Sequence, residues 1–107
     1  MTPTQRTLAY LRAMPDMIAE VTERWNPHAK IRQDLFGVID IVASSPTIPI
    51  LAVQCTSDSN FSSRLRKVRD SEKAQALIRN GWAFWIVGWK KGKGEPRVFA
   101  FDKWDGG

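Results

Sequence analysis

An aspartate inside an apolar, β-branched run constrains this chain more than any other feature. The segment GVIDIVA places Asp40 between Val38 and Val42. β-Branched residues on both faces predict a central strand that is buried on both sides. A second apolar run, IPILAVQC, covers residues 48–55 after a Ser–Ser–Pro turn. Because a short turn joins the two runs, we expect them to pair as antiparallel strands in the middle of a sheet.

This pairing brings Asp40 beside residues 52–56, where Gln54 and Thr56 share one strand face. An isolated buried carboxylate is unfavourable unless a partner or a cation compensates it. The Asp40 carboxylate, the Gln54 amide oxygen and the backbone carbonyl of Cys55 therefore form a candidate oxygen-ligand set for Mg²⁺ or Mn²⁺. The alternative is a structural Asp40 that accepts from a hydroxyl or backbone amide, with Gln54 bonding across the sheet.

The remaining periodicity predicts an α/β fold with the order α-β-β-β-α-β-β, in one domain over residues 1–107. The first three strands form an antiparallel meander, and a helical crossover brings the fourth strand in parallel. The result is a mixed central sheet flanked by helices. In chain order, the predicted elements are helix 3–14, strands 17–25, 38–42 and 48–55, helix 61–79 with a kink or restart at 71, and strands 82–90 and 97–102.

The charge balance favours a polyanionic partner. There are 16 Lys and Arg against 11 Asp and Glu, a net charge of +5, and phosphates attract a basic surface whatever their sequence. Solubility alone is an equally good reason for this charge. Four cations fall within six residues of the second helix, which indicates phosphate binding or simply the solvated face of an amphipathic helix. They are Arg64, Arg66, Lys67 and Arg69.

Length and composition exclude several classes of protein. A chain of 107 residues fits one ordinary domain, and no apolar run approaches the roughly 20 residues that span a bilayer. The N-terminus lacks the apolar core of a secretory signal. A single cysteine, Cys55, excludes an intrachain disulfide and a Cys-rich zinc site, and we expect it to be a small buried side chain. We therefore expect an intracellular protein, found in the cytoplasm and not in a membrane.

GVIDIVA followed by ILAVQCT resembles the core of the PD-(D/E)XK nucleases, as in archaeal Holliday-junction resolvases and virus-type replication-repair nucleases. That pattern is a strand Asp, a hairpin, and a carboxylate–any–lysine sequence on the next strand. The longer string ERWNPHAKIRQDLFGVIDIVA, with the basic helix after ILAVQCTS, is similar to small phage-borne nucleases of this superfamily. The resemblance covers residues 5–90. It implies a restriction-endonuclease-like fold, a homodimer, and Mg²⁺- or Mn²⁺-dependent cleavage of DNA, including branched DNA, by a protein that a virus encodes.

The chain departs from this pattern at the ligands. Gln54 stands in the place of the carboxylate and Thr56 in the place of the lysine, and residues 3–14 carry no acid. Glu23 and Asp34 are the candidate replacement carboxylates, with Asp34 in an outer shell. Surface pairing of Glu23 with an arginine, and capping of a turn by Asp34, are the alternatives. The replacement cation is Lys67 or Arg64, and the residues expected to bind flanking phosphates are Lys30, Arg32, Arg64, Arg66 and Arg69.

Three functions follow from these features. The first is a metal-dependent DNA endonuclease, and the second is a nucleic-acid-binding module that keeps the fold without the activity. The third is a protein-interaction domain that docks a partner along the apolar strand over residues 82–89. Trp82, Trp85 and Trp89 could stack on bases, but both faces of that strand are apolar, which favours packing in the core or in a dimer interface.

Overall fold

Three helices and seven strands make up the fold in a computed structural model that describes residues 1–101. The helices are α1 (Pro3–Arg12), α2 (Phe61–Asp70) and α3 (Glu72–Arg79), and a short 3-10 turn, Asp58–Asn60, precedes α2. The strands are β1 (Ile18–Val21), β2 (Arg24–Asn26), β3 (Ile31–Gln33), β4 (Ile41–Ser44), β5 (Leu51–Ser57), β6 (Ala83–Trp89) and β7 (Arg97–Phe101). Residue 102, the last of the predicted final strand, lies outside the described residues.

Five strands form one mixed sheet in the order β1-β4-β5-β6-β7. β1, β4 and β5 are an antiparallel meander, and α2 and α3 form the crossover that brings β6 parallel to β5. β7 then returns antiparallel to β6. The predicted α/β class, the meander and the parallel crossover are confirmed.

The sheet separates two apolar core layers. Along β5, Leu51, Val53 and Cys55 pack in the layer that contains Leu11 of α1. Ala52 lies in the other layer, with residues of α2, α3 and β6. The first six residues of β5 are buried, as expected for a central strand covered on both faces.

Local signals placed the start of α1 and both ends of α3 correctly, whereas α1 ends at Arg12 and not at residue 14 as predicted. Thr2 and Gln5 form a reciprocal capping box at the start of α1. The Ser71 hydroxyl accepts from the Ala74 amide, which begins α3 as a separate helix, so the predicted restart at residue 71 is confirmed. Gly81, with a φ of 97°, follows the end of α3.

The predicted strand over residues 17–25 is wrong beyond Val21. The Thr22 amide donates to the Asp40 carbonyl and its hydroxyl to the Ile39 carbonyl, and the chain then leaves the sheet. Residues 24–33 form a separate two-stranded hairpin, β2–β3. In the predicted strand, period-two alternation puts Trp25 on the apolar face with Val21, but Trp25 is 58% exposed.

Asp40 lies immediately before β4 and not in the middle of a strand as predicted. A tight turn after Asp34 and an isolated bridge between Leu35 and Ile39 occupy the chain just upstream. Regular pairing of β4 with β1 can therefore begin only near Val21 and Ile41. Asp40 is still hydrogen-bonded to β5, because its amide donates to the Val53 carbonyl at 2.9 Å.

The three tryptophans on and beside β6 belong to the core or pack against it. Trp89 is 9% exposed, and Trp82 and Trp85 pack against the core layers, so the core-packing interpretation is confirmed. β6 lies between β5 and β7. It is not an edge, and the expectation that residues 82–89 dock a partner along a free edge is wrong. No helix within residues 1–101 is long and apolar enough to cross a membrane.

Candidate metal centre

The register of the β2–β3 hairpin brings two carboxylates together. Arg24 pairs with Gln33, so Glu23 and Asp34 flank the open end of the hairpin. The turn after Asp34, closed by a bond from the Gly37 amide to the Asp34 carbonyl, returns the chain towards Asp40. Ligand oxygens of Glu23, Asp34 and Asp40 lie within 4.8 Å of one another. The two acids proposed as replacements are therefore next to the strand aspartate.

Asp40 is held by β5, as the sequence predicted. Its Oδ2 accepts from Gln54 Nε2 at 2.7 Å and from the Cys55 amide at 2.8 Å, and the residue is 4% exposed. Both bonds favour the ionised carboxylate. A backbone amide therefore binds Oδ2, as the structural alternative for Asp40 expects. The same carboxylate also lies beside two further acids, Glu23 and Asp34.

Burial raises the pKa of Asp40 from its ordinary 3.8 to about 7. The hydrogen bond from the Cys55 amide opposes this rise, and the neighbouring Asp34 and Glu23 add to it. Like charges at this separation repel, so the cluster favours either a shared proton or a bound cation.

Two exposed side-chain cations form ion pairs with the acids of this cluster. Lys67 Nζ lies 4.0 Å from Asp34 Oδ2, and an Arg32 guanidinium nitrogen lies 3.5 Å from Glu23 Oε1. The two acids are about one-fifth exposed, whereas Lys67 and Arg32 are 39% and 68% exposed. Because such exposed cations are strongly solvated, they compensate buried charge weakly.

Gln54 gives an independent sign of a ligand. The residue is 2% exposed, and its Oε1 has no hydrogen-bond partner among the described residues. A buried amide oxygen without a partner is unfavourable. Carboxylate and amide oxygens are the ligands that Mg²⁺ prefers, so this donor set fits the predicted metal. Cys55 contacts Asp40 through its amide nitrogen, and the predicted ligand role of its carbonyl stays a prediction.

A cavity of about 340 Å³, here called the carboxylate pocket, opens on this cluster. Arg64, from the second turn of α2, lines it and is half-buried. Thr56 also lines it, and its hydroxyl donates to the Ser57 carbonyl at 3.1 Å. Of the two candidate replacement cations, Arg64 lines the pocket and Lys67 lies beside Asp34.

The other predicted residues are spread around this site. Lys30 lies in the tip of the β2–β3 hairpin, and Arg66 is exposed on α2. The Arg69 guanidinium lies 5.7 Å from the centre of the Phe99 ring and lines a different cavity. The structure brings nine predicted residues together, and these are Glu23, Arg32, Asp34, Asp40, Gln54, Cys55, Thr56, Arg64 and Lys67.

The Cys55 thiol has no part in this site. Cys55 is 8% exposed and belongs to the core layer beneath α1. Burial raises the pKa of the thiol to about 12, so it is protonated and inert at neutral pH. The expectation of a small buried side chain is confirmed.

Sequence reasoning missed three residues beside the carboxylates. Trp25, Phe36 and Lys73 line cavities that share Asp34. Trp25 was assigned to a buried face because the hairpin was not recognised. The signal that could have revealed it is the Asn-Pro turn between two short segments of alternating polarity.

Comparison of the chain with protein-family models, with curated proteins and with solved structures gives no match. The function must therefore be argued from the geometry of the site.

Proposed function

We propose that this chain is a metal-dependent DNA endonuclease that hydrolyses phosphodiester bonds. One observation carries the proposal: three carboxylates from separate segments converge within 4.8 Å beside a buried amide oxygen that lacks a partner. The meander with a parallel crossover is the arrangement expected of a restriction-endonuclease-like fold. It supports the resemblance to PD-(D/E)XK nucleases.

Each residue has a defined task in this proposal. Asp40, Glu23, Asp34 and the Gln54 amide oxygen would hold Mg²⁺ or Mn²⁺. When bound, the ion supplies Lewis acidity and a lowered water pKa. Arg64 faces the same pocket, where its guanidinium can stabilise negative charge on the scissile phosphate.

The metal site is tested first by calorimetric titration of Mn²⁺ into the purified protein. Asp40→Asn keeps an acceptor for the Cys55 amide but removes the charge, and we expect it to weaken binding roughly 10–100-fold or more. Asp70→Asn is the matched control, because Asp70 is exposed at the end of α2. Equal Mn²⁺ affinity in the wild type and in Asp40→Asn would contradict the site.

The activity is tested with plasmid, linear and four-way-junction DNA in Mg²⁺ or Mn²⁺. We expect nicking by the wild-type protein and none by Asp40→Asn. Both proteins should show the same circular dichroism spectrum, so that loss of activity is not loss of fold. Unchanged cleavage by Asp40→Asn eliminates the assignment.

A nucleic-acid-binding module without activity is the second candidate. The observation in its favour is that Gln54 and Thr56 are both neutral and already bonded within the fold, to Asp40 and to the Ser57 carbonyl. DNA binding without cleavage in any divalent metal would favour it. The homodimer, the cytoplasmic location and the viral origin are expectations from the sequence. Sedimentation velocity tests the first of these.

A further inference from the structure

Asp34 lies where three cavities meet. It lines the carboxylate pocket and two neighbouring grooves. The first, here called the hairpin groove, has a volume of about 410 Å³ and is lined in part by Arg24, Trp25 and Phe36. The second, here called the cationic groove, has a volume of about 500 Å³, and Arg32, Lys67, Lys73 and Phe36 line it. Both grooves therefore lie next to the carboxylates.

The hairpin groove carries aromatic surface that the fold leaves uncovered. Trp25 is 58% exposed and Phe36 is 44% exposed, whereas Trp82, Trp85 and Trp89 pack in or against the core. Both aromatic residues are within two residues of a carboxylate of the cluster, Glu23 or Asp34. Because both rings line the same groove, their exposed faces are open to a ligand there.

The backbone at Phe36 is strained. Its φ is +53°, a left-handed conformation that costs a bulky residue about 1–2 kcal/mol. The turn is fixed by the bond from the Gly37 amide to the Asp34 carbonyl and by two bonds between Leu35 and Ile39. The fold thus holds an aromatic ring at the junction of the two grooves at an energetic cost.

The basic residues that line the two grooves indicate which class of ligand binds there. The cationic groove has three basic residues and Asp34 as its only acid, and Arg24 adds a fourth cation in the hairpin groove. Cations that follow a backbone, next to aromatic rings, are the mark of single-stranded nucleic-acid binding, because each unpaired base offers a face for stacking. In a duplex these faces are covered by neighbouring base pairs.

We propose that the hairpin groove binds an unpaired base of a DNA strand on Trp25 and Phe36, while Arg32, Lys67 and Lys73 bind the adjacent phosphates. The substrate class that follows is DNA with a single-stranded segment next to the cleaved phosphate. The cleavage part of this inference rests on the proposed endonuclease. The binding part does not.

The test is fluorescence anisotropy of a labelled oligonucleotide of about 12 nucleotides, within the usual site size of such proteins. It is compared with a duplex of the same length, in EDTA so that cleavage cannot interfere. We expect the single strand to bind more tightly. Trp25→Ala should weaken its binding at least about fivefold, as the loss of one stacked base does, and leave duplex binding unchanged.

Conservative and control variants separate stacking from folding. Trp25→Phe should restore most of the single-strand affinity. Phe36→Asn suits a left-handed backbone and should weaken binding like Trp25→Ala. Val98→Ala is the control, because Val98 is 40% exposed on β7, at the opposite edge of the sheet, and it should bind like the wild type.

Equal affinity for single strand and duplex, or an unchanged affinity in Trp25→Ala, overturns the inference. The results that would overturn this inference differ from those that would overturn the proposed endonuclease activity. Preferential single-strand binding that is lost in Trp25→Ala supports the inference even if no metal yields cleavage. Cleavage of DNA that carries a single-stranded segment with equal efficiency in the wild type and in Trp25→Ala would leave the nuclease standing and remove the single-strand site.

Discussion

Asp40 balances opposing effects at the scale of a single residue. Two donors on β5 stabilise its negative charge, while burial and the neighbouring Asp34 and Glu23 destabilise it. The net effect places its pKa at about 7. A proton and a divalent cation therefore compete for the same cluster near neutral pH.

This balance predicts a pH dependence of stability for the metal-free protein. The folded pKa of about 7 exceeds the ordinary 3.8, so the folded state binds the proton more tightly than the unfolded state. This tighter proton binding adds at most about 4 kcal/mol to the free energy of unfolding. The added stability is fully present below pH about 4 and is lost as the pH rises to about 7. Chemical denaturation in EDTA at several pH values measures it.

Asp40→Asn is the matched comparison for this pH dependence, because its side chain is neutral throughout. The variant should lose less stability than the wild type between pH about 4 and about 7. The same slope in both proteins would show that Asp40 does not titrate in this range.

At the scale of elements, a close approach between α2 and β6 positions the site. A Cβ on Gly88 would lie 2.6 Å from Phe61 Cδ2 and 3.5 Å from Thr56 Cγ2. Only glycine lets the first residue of α2 reach the sheet at this point. The Arg97 guanidinium also packs on that ring, 4.2 Å from its centre. The start of α2, and with it Arg64, depends on this contact.

Gly88→Ala should therefore destabilise the protein by about 1–3 kcal/mol, as overpacking of a core does. Thermal unfolding measures the effect. Phe61→Leu in the same background should remove part of the loss, and this double-mutant cycle identifies the clash as its cause. Additive effects of the two substitutions would contradict the close contact.

At the scale of the whole molecule, charge distinguishes the candidate functions. The net charge of +5 includes three basic residues in the cationic groove, Arg32, Lys67 and Lys73. A protein-interaction domain would need none of them for its partner. Phosphate recognition releases counterions from the nucleic acid, and its affinity therefore falls steeply as salt rises.

Three phosphate contacts predict a fall in single-strand affinity of about 20-fold between 50 mM and 200 mM salt, from a slope of about −0.7 per contact. Anisotropy titrations across this range give the slope directly. Lys73→Gln should make the slope shallower by about 0.7. A slope near zero would exclude phosphate recognition by the groove.

The local sequence pattern predicts the two central strands of the fold and the contact between Asp40 and Gln54 in the site. The β-branched run around Asp40 and the apolar run before Cys55 specify two paired central strands, because only burial on both faces explains them. Their antiparallel pairing brings Asp40 to Gln54, as observed. The helix ends likewise depend on nearby residues such as Thr2 and Ser71, whose side chains bond to amides three positions away.

The sequence by itself determined the mixed α/β sheet and the buried position of Asp40, since apolar periodicity and capping act over short distances along the chain. Only the tertiary structure decided that Glu23 and Asp34 join Asp40, and that Trp25 is exposed beside them. Both depend on the β2–β3 hairpin, whose short, exposed strands carry almost no hydrophobic signal. Its position is set by long-range hydrogen bonds such as those from Thr22 to residues 39 and 40.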